Sequence, residues 1–240
     1  MMLARGATLA CVLLAIAACT SNGRESTVNV SPAANAADAG MVDIQALVPD
    51  MRLEIRYAGS DNFVGAPVEG YEAGKCFLHR DVAEALQRVE QDLRRENLRL
   101  KIFDCYRPRR AVLHFMRWVE DVRDVRTKPD YYPDLDKQEL LGGYISPTSG
   151  HSRGATLDLT LMRCAADGRC EPLDMGTGFD FFGSIANTDS PLVDATQRAN
   201  RHRLREAMQR HGFENYPMEW WHFTFKPEPT PDMAYDFPVR

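Results

Sequence analysis

Ser149-Gly-His-Ser-Arg-Gly-Ala-Thr-Leu-Asp158 runs directly into Leu159-Thr-Leu161. His151 and Asp158 lie seven residues apart, so a regular strand would place them on opposite faces. Gly154, between them, can take positive φ and bend the chain. The reading is therefore a bend followed by a strand over Ala155 to Leu161, with His151 and Asp158 free to meet where the strand begins. Standing alone, a surface-loop histidine and a turn aspartate are the ordinary interpretation. A second segment, Glu219-Trp-Trp-His222, changes the weighing. Two histidines, one aspartate and a nearby glutamate form the inventory of a catalytic zinc site: three ligands, an open position for water, and a base.

Working outward, Leu53 to Tyr57 and Leu98 to Phe103 read as strands, and Glu219 to Phe225 as an aromatic-rich one. His79 to Glu96 is an amphipathic helix with Val82, Leu86, Val89 and Leu93 on one stripe. Pro108 opens another, running to about Arg123 with Val112, Phe115, Met116 and Val119 apolar. Thr196 to His211 is a third, closed by Gly212. Tyr131 to Asp134 reads as loop, and Lys226-Pro-Glu-Pro-Thr-Pro231 is too proline-rich for helix or central strand. Strands and helices mix without a βαβ rhythm. That predicts an α+β single domain with a central, largely antiparallel sheet flanked by helices and the zinc site in a cleft.

Glu219 sits among aromatics, where an unpaired carboxylate costs several kcal/mol unless its pKa rises. A raised pKa suits a general base that takes a proton from water and passes it to a leaving amine. Asp104-Cys-Tyr-Arg107-Pro lies at a strand-to-helix junction. Arg107 can point into a cleft there and stabilise an oxyanion, or it can simply pair with Asp104. Trp220 and Trp221 read as packing, and Arg109 and Arg110 as solvated helix residues. His79, His114, His202 and His211 read as solvated or helix-terminal, not ligands.

The 240 residues are 44% hydrophobic and 26% charged, enough to build a core. The net charge of −5 gives no footing for nucleic acid or an anionic membrane surface. At the N-terminus, Arg5 precedes a short apolar run, Ala7 to Ala18, below the ~20 residues that span a bilayer. Ile16-Ala-Ala-Cys19 resembles the lipobox of bacterial lipoproteins. This predicts a signal peptide over 1–18, acylation of Cys19, a flexible tether over 19–41 and a catalytic domain over 42–240. Thr20 after Cys19 implies the outer membrane, which places the domain in the cell envelope, in the periplasm. A plain signal peptide cleaved nearby is the alternative. Four further cysteines suit two disulfides in an exported protein. Cys164 and Cys170 bracket a turn and pair, leaving Cys76 with Cys105. The lack of any CxxC spacing weighs against a four-thiolate zinc site.

The chain resembles the VanX-type D-alanyl-D-alanine dipeptidases. The shared blocks are Tyr57-Ala, Asn62-Phe, Gly70-Tyr-Glu, Asp104-x-Tyr-Arg-Pro, Ser149-x-His-Ser-Arg-Gly-x-x-x-Asp-Leu-Thr-Leu, Met175-Gly-Thr-x-Phe-Asp180, Asn200-Arg, Gly212-Phe and Glu219-Trp-Trp-His. They run in family order from Tyr57 to His222. The resemblance implies one zinc ion per chain on His151, Asp158 and His222, Glu219 as catalytic base and Arg107 as the transition-state arginine. It further implies that Asp180 holds the ammonium of a D,D-dipeptide and that Ser149 lies near its carboxylate. Membrane contact would be through the lipid anchor alone. The resistance-associated members act in the cytoplasm, so an exported chain departs from them in setting. A D,D- or L,D-carboxypeptidase acting on peptidoglycan, or a zinc-bearing binding module without turnover, are the alternatives.

Overall fold

The computed structural model describes residues 29–240. The signal segment, Cys19 and the first part of the expected tether lie outside the described residues. The elements in chain order are β1 (Asn29–Val30), β2 (Met41–Asp43), β3 (Arg52–Leu53), β4 (Phe77–His79), α1 (Arg80–Arg94), β5 (Leu98–Asp104), α2 (Arg109–Glu120) and α3 (Lys128–Tyr131). They continue with β6 (Thr156–Cys164), β7 (Cys170–Pro172), α4 (Ala195–Gln209), β8 (Phe213–Asn215), β9 (His222–Phe225) and β10 (Met233–Ala234).

The main sheet runs β3-β5-β6-β9-β8, with β7 paired to the far end of β6. Only β3 and β5 are parallel; the remaining pairs are antiparallel. The architecture is α+β in a single domain. Strand β6 is buried from Thr156 to Met162, as a central strand covered on both faces is. Leu98, Leu100 and Ile102 of β5 sit opposite Arg163, Leu161 and Leu159, so the leucines share one face. Helices α1 and α4 pack beside β5 and β6, with Val82, Leu86, Val89 and Leu93 buried at about 1% exposure or less. The aromatic side chains of Tyr57, Phe63, Phe115 and Phe182 form a second cluster. Phe103 and Phe179 stack at 4.7 Å between centroids.

Several expectations shift in detail. The strand expected over Leu53 to Tyr57 stops at Leu53, and Arg56–Ala58 tightens into a 3-10 turn that buries Tyr57. The strand expected from Glu219 begins at His222, because Glu219 N–H bonds the Tyr216 carbonyl and His222 N–H bonds the Glu219 carbonyl in a turn. The helix from Pro108 ends at Glu120, and the loop expected at Tyr131 starts as the end of a short helix. Gly212, at φ +88, lies two residues beyond the Arg210 C-cap of α4. Within the expected tether, Asn29–Val30 pair in parallel with Met233–Ala234, and Ala39 and Met41 are buried. Its described part is packed against the domain. Cys76 is bonded to Cys105 and Cys164 to Cys170.

Candidate metal centre and its cleft

Three adjacent strands bring one row of side chains to the end of the sheet. Asp104 of β5 faces Asp158 of β6, and Asp158 faces His222 of β9. Directly opposed residues on antiparallel strands hold their Cβ atoms about 4.5–5.5 Å apart on the same face. His151 joins the row from a 3-10 turn, Gly150–Arg153, capped by Ser149, whose Oγ accepts the His151 N–H at 3.3 Å. The turn ends at Gly154 in the left-handed region, φ +72. A Cβ there would strike Met41 and come within 3.2 Å of His79 Cδ2, so both backbone and space demand glycine.

The ligand atoms of His151, Asp158 and His222 all lie within 4.8 Å of one another. His151 Nε2 is 3.3 Å from Asp158 Oδ2 and 3.3 Å from His222 Nδ1, and His222 Nδ1 is 3.1 Å from Asp158 Oδ1. Ligand atoms around a tetrahedral zinc at its usual N and O distances stand about 3.3 Å apart. Asp158 Oδ1 is buried and, although His222 Nδ1 stands 3.1 Å away, makes no hydrogen bond of good geometry, a costly state unless a cation completes it. The residues therefore fit a zinc ion. Burial lowers the His151 pKa, which favours the neutral ring that ligates. Burial would raise the Asp158 carboxyl, but His151 and His222 outweigh it and hold it below the usual range.

Glu219 lies beside the triad, its Oε2 3.4 Å from His222 Nδ1. Burial first, then the Asp158 charge, pushes its carboxyl well above the ordinary glutamate value. Arg107 reaches the same place from the β5–α2 junction. Its Nη2 is 2.8 Å from Asp104 Oδ2 and 3.5 Å from Asp158 Oδ2, and its guanidinium lies 5.1 Å from the Tyr57 and Phe115 ring centroids. The two sequence readings of Arg107, cleft and Asp104 partner, are thus both realised. Asp180, at φ +62, presents its carboxylate to the Tyr57 hydroxyl, which donates at 2.9 Å. Burial and the Asp158 charge raise its pKa well above the aspartate range. A cleft of about 280 Å³ is lined by Arg107, Ser149, His151, Asp158, Asp180 and Glu219.

Trp221 packs edge-on to Phe179, and Trp220 Nε1 donates to Thr177 Oγ1 at 2.8 Å, tying the Glu219 turn to the loop that carries Asp180. His79 pairs with Thr230, His114 with the Glu69 N–H, His202 with Asp189 and His211 with Asp92, all away from the triad. Arg110 is exposed, as the solvated reading expects, and pairs there with Asp236 at 3.1 Å.

Sequence reasoning left three contributors without their full role. Tyr57 was legible only as a motif residue, yet it is the partner of Asp180. Asp104 is fully buried; besides Arg107 it accepts from the Tyr71 hydroxyl at 2.6 Å and lies 3.3 Å from His151 Nδ1. Arg201 of α4, also fully buried, donates to the carbonyls of Met175, Ile185 and Asn187 at 2.7, 2.9 and 2.7 Å. All three carbonyls belong to the loop that carries Asp180. No side-chain spacing signals a cation spent on backbone. Arg201→Leu is expected to destabilise the fold by about 1–3 kcal/mol for each carbonyl left unpaired, read by urea unfolding. A loss under ~1 kcal/mol would show that the loop is held by other contacts.

Residues 37–240 match the Peptidase_M15 family, described as D-Ala-D-Ala dipeptidase. A D-alanyl-D-alanine dipeptidase of Streptomyces coelicolor is 40% identical over 197 residues, covering 82% of this chain and 96% of the relative. One from Enterococcus faecium is 36% identical over 204 residues, covering 85% of this chain and all of the relative. One from Escherichia coli is 32% identical over 183 residues, covering 76% and 83%. Among solved structures, the zinc-bound vancomycin resistance D,D-pentapeptidase VanY aligns with a TM-score of 0.39 at 18% identity, over 66% of this chain and 77% of that one.

Proposed function

As a member of the D-Ala-D-Ala dipeptidase family, the chain is a zinc metallopeptidase, and we propose that it binds one zinc ion through His151 Nε2, Asp158 and His222 Nδ1. Its reaction is hydrolysis of D-alanyl-D-alanine to two molecules of D-alanine. The observation that carries the site assignment is the convergence of those three ligand atoms, with a buried, unpartnered Asp158 oxygen, beside the Glu219 carboxylate. Bound zinc supplies a Lewis acid and lowers the pKa of its water to roughly 7.

The chain's own residues supply the rest. Glu219 accepts a proton from the attacking water and returns it to the leaving amine. Arg107 stands ready for the oxyanion of the tetrahedral intermediate; its pairing with Asp104 and its packing on Tyr57 and Phe115 fix it in advance of reaction. Asp180, oriented by Tyr57, receives the free ammonium of the dipeptide. Ser149, which caps the His151 turn and lines the cleft, would receive the substrate carboxylate. A site that closes around a free ammonium rejects N-extended peptides, since blocking the amine leaves a buried carboxylate without its cation.

D-alanine release from D-Ala-D-Ala by zinc-loaded protein, alongside N-acetyl-D-Ala-D-Ala, tests this directly. The expected result is cleavage of the free dipeptide only, lost on chelation and restored by zinc. Asp180→Ala should raise the KM for the dipeptide and narrow its advantage over the blocked peptide. Preferred cleavage of the blocked peptide by the wild type would make the chain a carboxypeptidase.

The proposal extends to the compartment. The signal segment 1–18 and acylation at Cys19 would hold the domain at the envelope by lipid alone, with the membrane-facing tether ahead of the packed residues. The two disulfides support an oxidising compartment. Mass spectrometry of the mature N-terminus decides: a diacyl-glyceryl Cys19 is expected, and an unmodified terminus elsewhere overturns it.

A further inference from the structure

Whatever orients a histidine's second nitrogen governs how well its first one binds metal. His151 turns Nε2 toward Asp158 and His222, and its Nδ1 meets the carbonyl of Cys105 at 2.8 Å. With that nitrogen donating, Nε2 keeps the lone pair that a metal takes. The Cys105 carbonyl is the nearer of two acceptors at that nitrogen, Asp104 Oδ2 standing at 3.3 Å, and so it selects the tautomer and aims the ring.

The sheet does not hold that carbonyl. The pairing of β5 with β6 shifts register between Ile102 and Asp104 and ends at Asp104. Cys105 lies just past the last pair. Arg107 N–H ties the following residues to the His151 carbonyl at 3.3 Å, and further restraint comes from β4, which belongs to a separate two-stranded sheet with β2. There the Cys76–Cys105 disulfide makes the covalent tie, and Tyr106 N–H donates to the Phe77 carbonyl at 3.1 Å. β4 also grips the other end of the His151 turn, since His79 N–H donates to the Gly154 carbonyl at 3.0 Å. Both cysteines are buried, at 0% and 1% exposure.

We propose that Cys105 is a positioning residue for the metal, and that its disulfide to Cys76 tightens zinc binding by fixing the carbonyl that aims His151. The Cys164–Cys170 disulfide has no such part. It joins opposed residues of the β6–β7 ladder, six residues along β6 from Asp158, or about 20 Å away. One bond sets the site and the other closes a hairpin. The proposal rests on the reading of His151, Asp158 and His222 as the zinc ligands.

The test is zinc affinity by competition with a chromophoric chelator, on the wild type, His151→Ala, the Cys76→Ala/Cys105→Ala pair and the Cys164→Ala/Cys170→Ala pair. The first two arms check the ligand reading: the wild type should bind one zinc and His151→Ala should lose it. Equal binding by both overturns the ligand set, and the inference with it. With the ligand set sound, the Cys76/Cys105 pair should bind zinc about 10–100-fold more weakly, as loss of an outer-shell partner does. The Cys164/Cys170 pair should stay within about twofold, however it affects melting. Equal affinity for wild type and the Cys76/Cys105 pair overturns the proposal.

Cobalt replacing zinc gives a readout that simple loss of stability does not move: its visible absorption should change in the Cys76/Cys105 pair alone. Should that pair fail to fold, the wild type serves. A phosphine takes the disulfide to two thiols and becomes its oxide, and mass spectrometry reports which disulfide opened. Faster zinc release once Cys76–Cys105 opens supports the proposal; an unchanged release rate refutes it.

Discussion

Glu219→Gln is expected to lower kcat for D-Ala-D-Ala by roughly 10²–10⁴-fold, the range of a positioned general base, while zinc stays bound. The substitution keeps shape and removes only the ability to take a proton. Glu219 supplies none of the three converging ligand atoms, and its Oε2 lies 3.4 Å from His222 Nδ1. Metal content and melting temperature should therefore match the wild type. Steady-state turnover with zinc content measured on the same sample separates the possibilities. More than a tenth of wild-type turnover would remove Glu219 from the chemistry. A fall in zinc together with turnover would make it a ligand instead.

Asp104→Ala should strongly destabilise the fold. The carboxylate is fully buried and holds Arg107 through both Nε and Nη2, at 2.9 and 2.8 Å, while it accepts from Tyr71 at 2.6 Å. Removing it leaves a nearly buried guanidinium whose remaining carboxylate, Asp158, is 3.5 Å away. Breaking a buried pair from one side costs about 3–5 kcal/mol, far more than the pair contributes when intact. Asp104→Asn keeps the volume but sets an amide N–H₂ against either a guanidinium or a hydroxyl donor, so it should fall between Ala and wild type. Urea unfolding of the zinc-free protein reads this without the metal's own stabilisation. A cost near 1 kcal/mol for Ala would mean that Arg107 finds water or Asp158 at little expense.

The helices were legible because their apolar stripes repeat every three to four residues over a dozen or more positions, and α1, α2 and α4 stand within a few residues of their expected bounds. Short segments beside the cleft were less so. Leu53 to Tyr57 alternates like a strand, yet the chain leaves the sheet after Leu53 and turns inward, where Tyr57 meets Asp180. Glu219 to Phe225 is rich in aromatics, yet its first three residues form the turn that swings Glu219 beside His222. In both places a local pattern yielded to contacts with residues far along the chain. The expected tether shows the same limit, since Asn29–Val30 is ordered by a strand more than 200 residues away.

Legible in the sequence were the candidate ligand types, the bend at Gly154, a carboxyl three residues from His222 and an even set of four cysteines. Each rests on a residue's own chemistry or on neighbours a few positions apart. Only the tertiary structure decided which groups share the site. Asp104, Asp158 and His222 stand in one row because three strands pair in a particular register, and a slip of one residue would turn any of them to the other face. The Tyr57 hydroxyl on Asp180, the Arg201 clamp and the Cys105 carbonyl behind His151 likewise join positions between 14 and 123 residues apart, two of the three through backbone carbonyls. Side-chain identity carries no record of such meetings, because backbone acceptors are the same at every position and only packing chooses among them.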